Sequence, residues 1–311
     1  MFPGARGPGR DRPPQPSALP AAALPPPLLP SPLEPLDDDR FARHGVQLLL
    51  KRDDLIHPDL PGNKWRKLVP NLTAAAGRTV LTFGGAYSNH LRATAAAGRL
   101  LGFPTVGVVR GDELAHRPLN PSLARCAADG MRLHFVDRAA YRAKAVPAGL
   151  DTSAMYIVPE GGSNAAAVHG CLTIGRELHG LADTVAVAVG TGGTLAGLAG
   201  GLTADQRALG FPVLKGGFLG TEVARLQQAA FGARTGDWLL DERFHFGGYA
   251  RTAPELDRFA DGFEELHGVP VERVYVAKML YGLTVLAAEG AFAPGTRIAA
   301  VVTGQPASSS R

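Results

Sequence analysis

From residue 46 onward, short apolar runs alternate with Ala- and Leu-rich stretches whose apolar positions recur at helical spacing. Residues 46–50 predict a strand that ends in Lys51-Arg52-Asp53-Asp54. Trp65, Leu68, Leu72 and Ala76 then fall on one helix face, with Pro70 among them, where a proline kinks a helix or moves its start. Residues 79–83 predict a strand stopping at Gly84-Gly85, and residues 88–101 a helix closed by Gly102. Strands at 105–109 and 132–135 flank a helix near 122–128. The second half repeats the rhythm. A strand at 155–158 leads through Pro159-Glu160-Gly161-Gly162 to Ser163-Asn164, which can cap a helix running to about His179. A strand at 184–189, a helix at 194–202 and strands at 213–218 and 297–302 complete the pattern. Such alternation predicts an α/β fold of parallel sheets with helices on both faces. No fixed-period repeat is visible, which excludes a solenoid.

Composition narrows this picture. At 311 residues the chain can build a large core and two lobes. Apolar residues make up 45% and charged residues 19%, and the net charge is +4, as in an ordinary globular protein. Without a Lys/Arg run interleaved with aromatics, nucleic acid is not an expected partner. Cys126 and Cys171 have neither metal-site spacing nor a disulfide framework around them, and read as buried small hydrophobes. The first 36 residues hold twelve of the 25 prolines, so residues 1–30 are expected to be a disordered or extended leader. It lacks the continuous apolar stretch of a secretory signal. No apolar run reaches the roughly 18 residues that span a bilayer. The expected compartment is the cytoplasm, with no membrane contact.

Candidate chemistry begins at Lys64, one of six lysines among 32 basic residues, in Pro61-Gly62-Asn63-Lys64-Trp65-Arg66-Lys67-Leu68. Taken alone it is a basic residue at a helix start. A lysine held at a turn can also be desolvated, which lowers its pKa and frees the amine for Schiff-base chemistry. The charges of Arg66 and Lys67 would push the same way. Gly190-Thr191-Gly192-Gly193-Thr194, between a strand and a helix, offers backbone N–H groups and two hydroxyls to an anion. It is not a G-x-G-x-x-G loop, because Leu195 takes the last glycine position and the strand expected at 213–218 leads to no acidic residue for a ribose. No Gly-Lys-Ser/Thr follows either, which excludes a P-loop. A single phosphate monoester fits best. Paired with Lys64, it suggests pyridoxal 5'-phosphate. A second loop, Gly84-Gly85-Ala86-Tyr87-Ser88-Asn89-His90, leaves room for a flat ring; Ser88 reads equally as a helix cap. His90 has no obvious partner and reads as a surface residue or one behind the site. The third loop, Glu160-Gly161-Gly162-Ser163-Asn164, reads mainly as a cap and domain crossover. Tyr249 and Tyr275, on their own, read as core or rim aromatics.

Together these motifs resemble the 1-aminocyclopropane-1-carboxylate deaminase and D-cysteine desulfhydrase family of pyridoxal-phosphate enzymes. The resemblance runs from Ser31-Pro32-Leu33-Glu34-Pro35-Leu36 through Lys51-Arg52-Asp53-Asp54 to Gly304. It implies the tryptophan-synthase β-subunit fold, a two-domain fold-type-II enzyme. Residues 66–163 would form a small α/β domain inserted into a large cofactor-binding one made of 31–65 and 164–311. It also implies that Lys64 holds the cofactor's aldehyde, that Ser88 sits over the ring and helps proton transfer, and that Asn89 meets the ring's phenolic oxygen. Gly190, Thr191, Gly192, Gly193 and Thr194 would hold the phosphate, and Tyr249 and Tyr275 would flank the substrate. The deaminase branch has a glutamate where this chain has Val276, and its late Leu-Gly-Gly reads Thr303-Gly304-Gln305 here. Thr303 resembles the desulfhydrase branch, its hydroxyl facing the pyridine nitrogen. Relatives often carry an aromatic at Ala300 and a further short segment after Gly304. The implied reaction is β-elimination from D-cysteine or a similar β-substituted amino acid by a homodimer, giving a 2-oxo acid, ammonia and sulfide. Deamination of 1-aminocyclopropane-1-carboxylate, a specialised elimination or replacement on another amino acid, and a non-catalytic cofactor-binding protein are the alternatives.

Overall fold

The computed structural model describes residues 26–60, 62–147 and 149–304. Strands β1 (Leu33–Leu36), β2 (Gln47–Lys51), β7 (Thr184–Val189), β8 (Arg207–Pro212), β9 (Asp237–Leu240) and β10 (Arg297–Val301) form one sheet in the order β1-β2-β10-β7-β8-β9. All neighbours in it are parallel except β1, which runs antiparallel to β2. Strands β3 (Val80–Gly84), β4 (Thr105–Arg110), β5 (Met131–Val136) and β6 (Tyr156–Val158) form a second, wholly parallel sheet in the order β5-β4-β3-β6.

The helices are α1 (Asp39–Ala42), α2 (Asn63–Ala75), α3 (Asn89–Leu101), α4 (Pro121–Ala128), α5 (Arg138–Arg142), α6 (Ala165–Arg176), α7 (Gly193–Gly200), α8 (Leu219–Phe231), α9 (Pro254–His267) and α10 (Val276–Ala288). Caps fall where the sequence suggests. Ser88 accepts from the Leu91 N–H and Asn164 from the Ala167 N–H, each relieving an orphan donor of a helix's first turn. Among the described residues no helix is long and apolar enough to cross a membrane.

Two expectations are corrected. The strand expected at 213–218 is β8, six residues earlier. Gly216 and Gly217 take φ values of 136° and 69°, which turn the chain toward α8. Pro70 neither breaks nor restarts α2, which runs through it. A proline crowds the carbonyl four residues back and leaves it without its helical N–H. Here Gly170 of α6 presses against that Arg66 carbonyl so closely that a Cβ would lie 2.0 Å from it. Residues 1–25 of the expected leader lie outside the described residues, but its end is docked: the Leu28 N–H donates to the Ile56 carbonyl at 2.9 Å.

Helix α2 links the two sheets. Its Trp65, Leu68 and Leu72 pack with Val80, Ala93 and Ala96 of the second sheet's layer. Its opposite side carries Arg66 into a buried ion cluster. The guanidinium meets both Asp53 oxygens at 2.8 Å, the Glu177 carboxylate at 2.8 and 2.9 Å and the Thr173 hydroxyl at 2.7 Å. Lys51 at the end of β2 closes the cluster on Glu177 at 2.6 Å. Removing one member of such a cluster costs about 3–5 kcal/mol, because the remaining charges are stranded in a poor solvent.

Candidate active site

The start of α2 is set by contact with the end of β10. Gly62, just before the helix, has φ 67° and ψ −147°, and a Cβ on it would lie 1.8 Å from the Thr303 carbonyl oxygen. Only glycine fits there. Lys64 follows in the first turn, its amine donating to Asn63 Oδ1 at 2.6 Å, while Asn63 Nδ2 donates to Thr194 Oγ1 at 2.9 Å. One short relay therefore joins the lysine to the glycine loop. Burial lowers the Lys64 pKa from 10.5 to about 7, and the charge of Lys67 adds to it. The expected contribution of Arg66 is absent from this balance, since Arg66 turns to Asp53 and Glu177 on the other side of α2.

Lys67 lies three residues after Lys64, on the same helix face. Its buried amine donates to the Gly161 carbonyl and to Ser163 Oγ, both at 3.0 Å. Ser163 Oγ in turn shares a 2.6 Å hydrogen bond with Thr191 Oγ1. A Cβ on Gly193 would sit 2.6 Å from Ser163 Oγ and 3.3 Å from Lys67 Nζ, so this hydroxyl and this amine lie directly on the start of α7. That helix has no side-chain cap and leaves first-turn N–H groups for another acceptor. The loop read as a cap and crossover is thus also one wall of the glycine cup.

The two tyrosines meet. The rings of Tyr249 and Tyr275 pack edge to face, 6.1 Å between centroids, and Tyr275 lies 3.1 Å from where a Gly190 Cβ would stand. Burial, followed by the neighbouring Tyr249, raises the Tyr275 pKa well above its ordinary value. Both rings are held by residues that drew no notice in the sequence. Glu272 accepts the backbone N–H groups of Val274, Tyr275 and Val276 at 2.9, 2.7 and 2.9 Å. Buried Lys278 donates to the His245 and Gly248 carbonyls at 2.8 and 2.9 Å, fixing the loop before Tyr249. Val276 and Ala300 are buried in the hydrophobic core.

The second loop is less tightly joined to the rest. Ser88 Oγ caps α3, and Asn89 is exposed with its Oδ1 accepting from Arg92. Among the described residues neither makes a hydrogen bond to Lys64. His90 is neither a surface residue nor partnerless. It is buried against Gly162, with Nε2 2.8 Å from Thr82 Oγ1. Thr82 gives its own proton to the Val158 carbonyl, so the imidazole donates from Nε2 and leaves Nδ1 as an unpartnered acceptor. Burial and the charges of Lys64 and Lys67 keep this ring neutral. The Thr303 hydroxyl makes no hydrogen bond among the described residues, although its carbonyl lies against Gly62.

The donor set fits pyridoxal phosphate. A cup of two threonine hydroxyls, a serine hydroxyl, a buried ammonium and uncapped helix N–H groups suits a phosphate dianion. A lysine amine whose pKa is near 7 stands one relay away to react with an aldehyde. Among the described residues no cluster of His, Cys, Asp and Glu could hold a metal ion.

Comparison with known proteins agrees with this chemistry. A putative 1-aminocyclopropane-1-carboxylate deaminase of Pyrococcus abyssi is 30% identical over 273 residues, covering 79% of this chain and 81% of that protein. D-cysteine desulfhydrase of Klebsiella pneumoniae is 30% identical over 276 residues, 78% and 82% of the two chains. A bifunctional D-cysteine desulfhydrase/1-aminocyclopropane-1-carboxylate deaminase, mitochondrial, of Arabidopsis thaliana is 28% identical over 77% of this chain and 67% of that one. A crystal structure described as an ACC deaminase homologue superposes with a TM-score of 0.75 at 27% identity, covering 88% of this chain and 89% of the other. The family described as pyridoxal-phosphate dependent enzyme matches residues 25–304, and the chain belongs to that family.

Proposed function

We propose that this protein is a pyridoxal-phosphate-dependent lyase that eliminates the β-substituent of D-cysteine or a similar amino acid. The observation that carries the reading is the Lys64 amine, tuned to about pH 7 and tied through Asn63 and Thr194 to a phosphate cup. When bound, pyridoxal phosphate supplies an aldehyde for an amine and a ring that withdraws electrons from the substrate's α-carbon.

The rest falls to the chain's own residues. Lys64 would hold the aldehyde at rest and, with its amine free, would take the α-proton. A pKa near 7 suits both giving and receiving it. Thr191, Thr194, Ser163, Lys67 and the N–H groups of Gly190, Gly192 and Gly193 would bind the phosphate. Asn89 would meet the phenolic oxygen and Thr303 the ring nitrogen. Ser88 assists the proton transfer. Tyr275 keeps its proton at neutral pH, so it donates to the departing group and does not act as a base. Tyr249 covers the substrate beside it.

Preference for a good leaving group is supported by Val276, an apolar side chain buried in the core. It puts no carboxylate beside the ring nitrogen, and a neutral partner leaves the ring a weaker electron sink. Ring opening of a cyclopropane needs a stronger one. The printed names of the relatives keep 1-aminocyclopropane-1-carboxylate deamination as the second reading. The elimination is a lyase reaction, not a hydrolase one, with water entering only to release 2-oxo acid and ammonia. The same reading takes residues 66–163 as the inserted small domain, and a cytoplasmic homodimer as the working form. Sulfide and pyruvate release from D-cysteine, beside L-cysteine and the cyclopropane amino acid, tests it. Release of 2-oxobutyrate from the cyclopropane alone would reverse the ranking.

A further inference from the structure

We propose that Arg110 and Tyr141 form a subsite at the mouth of this site that selects amino acids whose β-substituent ends in an anionic group. The inference rests on the elimination reading and specifies its substrate class. Arg110 ends β4, beside the glycine loop that follows β3. One guanidinium nitrogen lies 3.6 Å from where a Gly85 Cβ would stand. The guanidinium is exposed and makes no hydrogen bond or ion pair among the described residues. Its only described partner besides Gly85 is the Tyr141 ring, 5.8 Å from its centre. A cation stacked on an aromatic face keeps its in-plane donors free for an oxyanion.

Tyr141 positions the guanidinium through its ring. Its hydroxyl is buried and makes no hydrogen bond of standard length and angle, with Glu160 the acid within reach. Glu160 is already paired with Lys144, whose ammonium lies 4.2 Å from the Tyr141 ring centre. Of the other acids nearby, Glu113 turns to Gly111 and Arg138 and Asp137 caps α5, while Asp112 makes no hydrogen bond or ion pair among the described residues. Arg110 is therefore held by no carboxylate. The corner is continuous with the site, because Glu160 leads into Gly161, whose carbonyl accepts from Lys67 and whose α-carbon lies against Thr191. A substrate tail that extends from the site toward Gly85 meets Arg110. A thioether ending in a carboxylate is such a substrate. Its Cα–H proton passes to Lys64, the Cβ–S bond breaks with its electron pair on sulfur, and a carboxylate-bearing thiolate leaves.

The test compares S-carboxymethyl-cysteine with its uncharged isostere S-carbamoylmethyl-cysteine, both enantiomers of each, on cofactor-loaded protein. Pyruvate release gives kcat/KM, and the absorbance shift of the bound cofactor gives binding without turnover. The charged substrate is expected to win by roughly tenfold or more, mainly in KM, as one charge-assisted contact provides. Arg110→Gln should bring the ratio close to one, and Arg110→Lys should restore part of it. Equal rates and equal binding in the unmodified protein, or a ratio that survives Arg110→Gln, would overturn the subsite. Sulfide release from D-cysteine without charge preference would leave the elimination reading standing alone. A charge preference in binding without elimination of any substrate would do the reverse. No response to any of these compounds would end both.

Discussion

Lys64 stood out because Gly62-Asn63 marks a turn and Gly190-Thr191-Gly192-Gly193-Thr194 reads as a loop able to take an anion. What the sequence concealed is how the two are joined. The Asn63–Thr194 hydrogen bond spans 131 positions and the Lys67–Gly161 bond 94, so neither has a local signature. Lys67 was visible only as a charge near Lys64, and its contact with the cup was not. The folded pKa of Lys64 is depressed, so the neutral amine forms as pH rises through about 7, where an exposed lysine would wait until 10.5. Loading of cofactor-free protein with pyridoxal phosphate should therefore accelerate with a midpoint of about 7. A midpoint near 10.5 would contradict the burial of the amine. Replacing Lys67 by Met should raise the midpoint only in part, since burial is the larger cause. It should also weaken pyridoxal phosphate binding by roughly tenfold or more while hardly changing binding of unphosphorylated pyridoxal, because the lost contact is an ammonium–phosphate one.

Helix α2 makes these residues a unit. The apolar spacing of Trp65, Leu68 and Leu72 announced the helix, but Pro70 argued against its length. The answer lay in Gly170, a hundred residues away from Pro70, whose bare α-carbon covers the carbonyl that the proline leaves unbonded. The same helix is anchored through Arg66. Burial works against the Glu177 carboxylate, yet hydrogen bonds from Arg66 and Lys51 outweigh it and hold its pKa below the ordinary 4.5. A depressed carboxylate stabilises the fold above its unfolded pKa and loses that contribution as pH falls through the folded value. Urea unfolding near neutral pH should show Glu177→Gln less stable by about 3–5 kcal/mol, the cost of stranding Arg66 and Lys51. Below pH 4.5 the gap to the unmodified protein should narrow. A gap that widens in acid would mean that Glu177 is not the charged partner. At the other end of the helix, Gly62→Ala forces a Cβ to within 1.8 Å of the Thr303 carbonyl. The variant should fold with reduced stability and lose most cofactor binding, since α2 must shift and take Lys64 with it. Unchanged cofactor titration in that variant would show that this contact does not set the lysine.

Across the molecule, the alternating apolar rhythm foretold parallel sheets and missed chiefly where a strand is poorly apolar. Strand β8 begins with an arginine and includes Gly210, bare because Leu240 and Leu195 fill the space where its Cβ would stand. The apolar residues after it, Val213, Leu214 and Phe218, drew the prediction downstream, although Gly216 and Gly217 bend the chain there. The rhythm also says nothing of sheet order. Placing β10 between β2 and β7 brings Thr303 beside Gly62 and sets the end of the chain's last strand against the helix of Lys64. The two sheets thus contribute different things. The first carries the start of the lysine's helix and the glycine loop, and the second carries Ser88, Asn89 and Arg110. On sedimentation the protein should run at twice the chain mass if the dimer of the functional reading is correct, and a species of one chain mass would remove that part. The most direct test of the account is borohydride reduction of the protein loaded with pyridoxal phosphate, followed by peptide mapping. The account predicts one phosphopyridoxyl group, on Lys64, with the yellow colour bleached and no stoichiometric label in Lys64→Ala. A label on Lys67 or another lysine, or none at full cofactor occupancy, would contradict it.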